Sequence, residues 1–144
     1  MASQSTSSTP RAVAEIASYH AHIYFDAGSR PRAARLRELI AERFAARVGS
    51  WHEKPVGPHT KAMYQVAFAV EEFARFVPWL MLNRDGLSVL VHPNTLWPKD
   101  DHLVHALWLG EALPIDASML PVEVPSRAAI EELPPPNTTP TVQP

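Results

Sequence analysis

The sequence predicts an α+β fold: a four-stranded antiparallel sheet of ferredoxin-like order βαββαβ, with both main helices on one face and a further helix at the C-terminal end. Segments of period two and segments of helical spacing follow one another in that order along residues 18–120. An apolar share of 46% beside a charged share of 19% is typical of a chain that buries a core. The sheet face opposite the helices is left uncovered, so we expect a homodimer with a cleft over that face.

The first strand and the first helix have the clearest patterns. Residues 19–26 alternate between an apolar side and a polar side, which is typical of a strand. The polar side consists of His20, His22, Tyr24 and Asp26. Pro31 then suits a first helical position, and apolar residues recur at helical spacing as far as about Arg47, which predicts a helix over residues 31–47.

The middle of the chain predicts a hairpin, a helix and a fourth strand. Short strands at residues 48–54 and 62–69 flank a stiff loop that contains two prolines and a glycine. Residues 70–83 have helical spacing and stop before Asp85 and Gly86, while Pro78 should start, kink or split this helix. A strand at residues 87–92 and a helix at residues 100–113 complete the predicted domain.

Both ends of the chain predict disordered tails. Residues 1–17 begin with a Ser/Thr-rich stretch, and residues 121–144 carry seven of the 15 prolines. We therefore expect one domain at residues 18–120, which is the usual size of a single core.

The composition excludes several classes of function. A net charge of −2, with basic residues spread thinly, provides no surface for nucleic acid or for an anionic membrane. No apolar stretch approaches the roughly 20 residues that span a bilayer, and the chain does not start with a signal-peptide pattern, so we expect a cytoplasmic protein. Because the sequence has no Cys, its chemistry must use other side chains, and its seven His are the residues to explain.

Strand parity predicts a histidine cluster on the uncovered face. If the apolar residues of each strand face the helices, His20 and His22 share the opposite face, and the parity of the fourth strand places His92 there as well. This topology usually sets the fourth strand beside the first. Imidazoles two apart on one strand, with a third from a neighbouring strand, commonly bind a divalent metal. We therefore predict His20, His22 and His92 as metal ligands.

Other candidate residues are less specific. His59 in the stiff loop and His102 in the last helix could close the site or lie on the surface, and His52 could join from the second strand, whereas His105 is expected to pack. A possible aromatic box for a ring substrate would comprise Phe76, Trp79, Trp97 and Trp108. Arg30 and Arg84 could bind a substrate carboxylate. For these aromatic and basic residues, core packing and surface ion pairs are the more common roles.

Five motifs resemble the DOPA 4,5-dioxygenase family in the small form known from fungi and bacteria. They are YHAHIYFD (residues 19–26), HEKPVGPH (52–59), MYQVAF (63–68), VPWLMLNRDGLSVLVHPNT (77–95) and DHLVHALWLG (101–110). The resemblance covers residues 18–120 and implies a ferredoxin-like dimer. It also implies extradiol cleavage of L-DOPA or a related catechol with molecular oxygen and non-haem iron(II). After HPNT the family usually has a Gly-Asp-type turn, whereas this chain has LWPK at residues 96–99, which leaves the choice of substrate open.

Such chemistry limits the protein to three ligands on one side of the metal, because both catechol oxygens and molecular oxygen need positions. The resemblance therefore implies His20, His22 and His92 as ligands, with His59 the first substitute, and Asp26 as the one acid on the same strand face. It also requires a base that takes a catechol proton and an acid that returns one. Neutral imidazole suits both roles at pH 7, so the candidates are His52, His59 and His102. The sequence does not assign the two roles among them.

Two alternatives stay open at the level of the sequence. One is a metal-free dimeric protein that binds a small aromatic molecule through these histidines, which predicts no bound metal and no oxygen consumption. The other is a zinc-dependent hydrolase in which the metal acts as a Lewis acid, which predicts ester turnover without oxygen.

Overall fold

The computed structural model describes residues 9–130 and 133–144. Its five named strands are β1 (Ser18–Tyr24), β2 (Arg47–Val48), β3 (Met63–Phe68), β4 (Val89–Asn94) and β5 (Leu107–Leu109). The α-helices are α1 (Arg30–Arg43), α2 (Phe73–Asn83) and α3 (Pro98–Leu103). Short 3-10 turns occur at Val13–Glu15, Val70–Glu72 and Arg127–Ala129. The strands form one sheet of order β2-β3-β1-β4-β5, and every pair is antiparallel.

The predicted ferredoxin-like order is confirmed, and β5 extends the sheet beside β4. The main core lies between the sheet and helices α1 and α2, because the apolar side of each strand faces the apolar stripes of these helices. Its largest members include Ile23, Phe25, Leu36, Ile40, Phe44, Phe68, Phe76 and Leu80. The hydroxyl of Tyr64 on β3 donates to the carbonyl oxygen of Ala33 at 2.9 Å, which ties the sheet to α1.

The opposite face of the sheet is covered by the chain itself, which corrects the expectation of an uncovered face. Tyr24, Met63 and Leu90 are buried there, and Trp108 and Ile115 pack against them. The reason given for a homodimer therefore no longer applies, and the homodimer stays a prediction.

Several element boundaries differ from those expected. Helix α1 ends at Arg43 because Phe44 turns to extended backbone, although its N–H still bonds to the carbonyl oxygen of Ile40. The expected strand at residues 48–54 shrinks to β2, and beyond it His52 makes one isolated bridge to Met63. Helix α2 keeps Pro78 inside and ends, as expected, before Asp85 and Gly86, whose φ angles are 53° and 77°.

The last predicted helix is much shorter than residues 100–113. The backbone N–H groups of Val104 and His105 both bond to the carbonyl oxygen of Asp100, which closes α3. Residues 107–109 then pair with residues 89–91 of β4 as strand β5. A free strand edge thus captures a segment whose spacing alone predicts a helix.

The terminal segments contact the domain where they are described. The N–H of Val124 bonds to the carbonyl oxygen of Leu96 at 2.8 Å, and the Asn137 side chain bonds to both the N–H and the carbonyl of Val48. Residues 1–8 of the predicted N-terminal tail lie outside the described residues, and both disordered tails stay predictions. Among the described residues, none of the helices has the length and apolar character needed to cross a membrane. The cytoplasmic location stays a prediction.

Candidate metal centre

Three histidines from two paired strands form the base of the site. His20 and His22 project from β1, and His92 lies opposite His20 on β4. One nitrogen from each of the three lies within 4.8 Å of the others. All three side chains are buried, with 9%, 2% and 1% exposure for His20, His22 and His92. The structure therefore brings together the three residues predicted as metal ligands.

Two further histidines reach the same cavity from outside the sheet. His59 lies in the loop after β2. An isolated β-bridge between His59 and Ile115 holds this loop in place. His102 projects from α3. The nitrogens of His22, His59 and His102 also lie within 4.8 Å of one another. The cavity thus contains five imidazoles and two overlapping triads that share His22.

Hydrogen bonds to backbone carbonyls fix the proton positions of two of these rings. The Nδ1 atom of His92 lies 2.9 Å from the carbonyl oxygen of Pro93, and that of His102 lies 2.8 Å from the carbonyl oxygen of Pro98. A carbonyl oxygen can only accept, so each Nδ1 carries the proton and each Nε2 keeps a free lone pair. In both rings the nitrogen left free is therefore a ligand or a base.

His22 is the residue whose polar atoms are least satisfied by the protein. Its Nε2 atom lies 3.1 Å from the Nε2 atom of His92, and its Nδ1 atom is buried with no hydrogen-bond partner among the described residues. A buried ring nitrogen without a partner is costly, whereas a divalent cation would bind the converging nitrogens of His22 and His92 together. The residues present therefore fit a metal ion, and imidazole suits iron as well as zinc.

Burial keeps the histidines of the cavity neutral. Desolvation lowers the pKa of His20 and of His59 to about 4 in each case, and repulsion between protonated His102 and the protonated form of either ring adds to both effects. Desolvation also lowers the pKa of His22 and of His92 well below the usual value of 6.5. A histidine must be neutral to bind a metal, so these rings are ready as ligands at pH 7 without losing a proton.

His52 and Asp26 lie outside this cluster. His52 is half-buried at its bridge to Met63 and does not line the cavity. Asp26 is exposed at the turn before α1, where its carboxylate accepts hydrogen bonds from the backbone and hydroxyl of Ser29. Among the described residues, the acid that does line the cavity is Asp101, whose carboxylate accepts the N–H of Thr95 at 2.8 Å and its hydroxyl at 2.6 Å.

The suggested aromatic box and carboxylate-binding arginines are not assembled. Phe76 and Trp79 pack with the helix-side core, Trp108 stacks on Tyr24, and Trp97 lies under the guanidinium of Arg11. Arg30 pairs with Glu53, and Arg84 donates to the carbonyl oxygen of Leu87. His105 is exposed and lines a separate cavity of about 410 Å³, together with Arg11, Tyr19 and Phe73.

Tyr24 is a functional candidate that the sequence analysis did not single out. Its hydroxyl lies 2.7 Å from the Nδ1 atom of His59, inside the protein. Burial raises the pKa of Tyr24 well above its usual value, so the hydroxyl keeps its proton. The available signal was strand parity, which places Tyr24 on the same side as His20 and His22. The partner His59 could not be inferred, because a loop brings it there.

Comparison with known proteins identifies the family. The sequence pattern of the Dopa 4,5-dioxygenase family matches residues 19–119. The chain belongs to this family. A DOPA 4,5-dioxygenase of Amanita muscaria is 31% identical to this family member over 118 residues, which are 76% of the chain and 52% of the relative.

This Dopa 4,5-dioxygenase family member is also similar to an uncharacterized protein and to a solved structure. An uncharacterized 21.2 kDa protein of Botryotinia fuckeliana is 40% identical over 114 residues, which are 71% of the chain and 62% of that protein. The chain thus spans between half and two thirds of the length of these curated relatives. A solved structure of a candidate dioxygenase from Nostoc punctiforme is 53% identical, with a TM-score of 0.75, and the match covers 76% of the chain and 95% of that structure.

Proposed function

We propose that this chain is an extradiol ring-cleaving dioxygenase that acts on a catechol such as L-DOPA with molecular oxygen and non-haem iron(II). Both oxygen atoms of O₂ enter the product, and the ring opens at a carbon–carbon bond beside the two hydroxyls, so no external reductant is required. The observation that carries the proposal is the convergence of five imidazoles, four of them buried, with the Nε2 atoms of His22 and His92 3.1 Å apart. Family membership and the name of the Amanita muscaria relative support the same chemistry.

In this proposal His20, His22 and His92 hold the metal. They are neutral, they come from two rigid paired strands, and the tautomer of His92 is fixed by the carbonyl of Pro93. When bound, iron(II) would gather the catechol oxygens and molecular oxygen at one centre and allow electrons to pass between them. The triad of His22, His59 and His102 is the second ligand set that the geometry allows.

His59 and Tyr24 provide a proton-transferring pair. The Tyr24 hydroxyl can accept the Nδ1 proton of His59, which leaves His59 Nε2 as a base for a catechol proton. With the catechol proton on Nε2, His59 is a cation whose Nδ1 proton is still donated to the Tyr24 hydroxyl, and it can return the Nε2 proton as the ring opens. Because the Tyr24 hydroxyl accepts the Nδ1 proton in the neutral ring and in its cation, one hydrogen bond supports both steps.

His102 is the second base in the cavity, since its Nδ1 proton is engaged by the carbonyl oxygen of Pro98 and its Nε2 lone pair is free. Of the three residues expected to act as acid or base, His59 and His102 line the cavity and His52 does not. The proposal therefore assigns the proton transfers to His59 and His102.

The proposal is tested by metal analysis of anaerobically purified protein, followed by an oxygen-electrode assay with L-DOPA, caffeate and protocatechuate. We expect iron in the protein, consumption of one O₂ for each catechol and a yellow product from L-DOPA. Bound zinc with ester hydrolysis in the absence of oxygen would instead establish the hydrolase. A protein that binds catechols but neither metal nor oxygen would establish the binding protein.

A further inference from the structure

The walls of the histidine cavity differ sharply in chemistry. The cavity has a volume of about 320 Å³, and the five histidines lie together on one side of it. The remaining lining includes an apolar set: Pro58, Pro98, Leu120, Val124, Ala129 and Ile130. Most of this set lies on residues 120–130, just beyond the residues 19–119 that match the family. We call residues 120–130 the apolar wall.

The apolar wall is fixed to the domain by backbone hydrogen bonds. The N–H of Lys99 bonds to the carbonyl oxygen of Pro121 at 3.1 Å, and the N–H of Val124 bonds to the carbonyl oxygen of Leu96 at 2.8 Å. Arg127 donates to the carbonyl oxygen of Ala14 at 2.7 Å. The wall is therefore attached to residues 96–99, which lie before and at the start of α3, and to the segment before β1.

The cavity offers little to pair with a charged substituent. Among the described lining residues there is no Lys or Arg, and the single carboxylate, Asp101, already accepts both the N–H and the hydroxyl of Thr95. The other polar lining groups besides the histidines include the neutral amides of Gln65 and Asn94. An anionic substituent brought into such a cavity loses its water and meets no cationic side chain among the described lining residues, whereas an alkyl group gains apolar contacts.

We propose that the apolar wall selects catechols whose ring substituent is uncharged and apolar, such as a short alkyl chain, over zwitterionic L-DOPA. This inference rests on the proposed function and names the substrate class of the same site. The ring hydroxyls face the histidines, and the substituent lies against Leu120, Val124 and Ile130. A site built to hold the amino-acid part of L-DOPA would instead place charged groups at these positions.

The first test compares 4-ethylcatechol with L-DOPA and 3,4-dihydroxyphenylpropionate in the iron-loaded protein. We expect kcat/KM for 4-ethylcatechol to be at least tenfold higher than for either charged compound. Calorimetric titration of the same compounds without oxygen should give the same order of Kd. Equal kcat/KM values for the three compounds would overturn the inference and leave the proposed function intact. Absence of turnover with every catechol would overturn both.

The second test changes the wall and uses a matched valine as control. Val124 lines the cavity, whereas Val122, on the same segment, is 38% exposed and does not. We expect Val124→Arg to lower kcat/KM for 4-ethylcatechol at least tenfold and to raise that for 3,4-dihydroxyphenylpropionate, while Val122→Arg changes each less than twofold. If the Val124→Arg protein does not fold, the isosteric variants Val124→Thr and Val122→Thr replace the two arginine variants. We then expect about a threefold loss of kcat/KM for 4-ethylcatechol in Val124→Thr only. Equal effects of the two positions would overturn the proposal.

Discussion

The Nε2 atoms of His22 and His92 face each other at 3.1 Å across the paired strands β1 and β4. The proton of His92 lies on Nδ1, where it is donated to the carbonyl oxygen of Pro93, so its Nε2 presents a lone pair towards His22. His22 belongs to both triads that could hold a metal. Whichever triad binds the ion, loss of His22 should therefore reduce metal binding and activity most.

His22→Ala should abolish metal binding and activity while the fold is retained. The variant removes a nitrogen common to both triads, and two remaining ligands bind a divalent ion weakly. Metal content by mass spectrometry should fall below a tenth of the wild-type value, with an unchanged circular dichroism spectrum. His52→Ala is the control, because His52 lies outside the cluster, and it should keep its metal. A His22→Ala protein that still turns over catechol would remove His22 from the site.

Tyr24→Phe should lower kcat by about 10- to 100-fold without loss of metal, since removal of a hydrogen bond to a catalytic imidazole impairs proton transfer. The Tyr24 hydroxyl is the partner of His59 Nδ1 at 2.7 Å. The pH profile of kcat should also change. Tyr64→Phe is the matched control, because Tyr64 is buried on the helix side and bonds to the carbonyl of Ala33. It should cost about 1 kcal/mol of unfolding free energy and leave kcat unchanged. The same loss of kcat in both variants would refute the role of Tyr24.

Asp101→Asn should destabilise the protein by about 1–3 kcal/mol, because an amide can accept only one of the two hydrogen bonds that Thr95 donates in the buried site. Urea unfolding measures this change. Asp116→Asn is the control: Asp116 is exposed and accepts the N–H and the hydroxyl of Ser118 on one oxygen, so an amide oxygen can keep both hydrogen bonds. Its expected cost is smaller than that of Asp101→Asn. Similar losses in the two variants would show that burial of the carboxylate is unimportant.

The metal-free protein should lose stability as the pH falls from about 6.5 towards 4. Burial lowers the pKa of His20 to about 4 from 6.5. Between these two pH values the unfolded chain therefore binds a proton that the folded protein does not bind. His20 alone would then account for a loss on the order of 3 kcal/mol. Urea unfolding after EDTA treatment, at pH 7.5 and at pH 4.5, measures the loss.

Two variants define this pH effect. His20→Gln should reduce the difference between the two pH values, because the group that resists protonation is gone. His105→Gln should leave it unchanged, since His105 is exposed. A metal-free wild type that is equally stable at both pH values would contradict the expectation.

Strand parity was sufficient to predict half of the site. The period of two in residues 19–26 assigns His20 and His22 to one side, and a single pairing of β1 with β4 adds His92. His59 and His102 could be named as candidates but not placed. Their positions depend on contacts between distant segments, such as the bridge from His59 to Ile115, which no local pattern records.

The errors in the predicted helix and strand boundaries share one cause. Pairing at the edges of the sheet competes with the local preference of a segment for helix or strand. Residues 107–109 have helical spacing but pair with β4, and the expected strand at residues 48–54 pairs with β3 only at residues 47–48 and at His52. Near this strand Gly49 approaches the Gln65 carbonyl so closely that a Cβ atom would lie 3.3 Å from that oxygen. The role of residues 120–130 was also missed, because their prolines indicate a solvated tail and carry no sign of the cavity that they line.

The pairing of His20 with His92 links the chemistry of the cavity to the folding of the chain. A slip of one residue between β1 and β4 would turn the imidazoles into the helix-side interior and leave no group of nitrogens for an ion. An ion that needs these nitrogens can enter only after the two strands have reached their native alignment. The rate of ion uptake during refolding would therefore report how fast the two strands align, independently of any measurement of helix content.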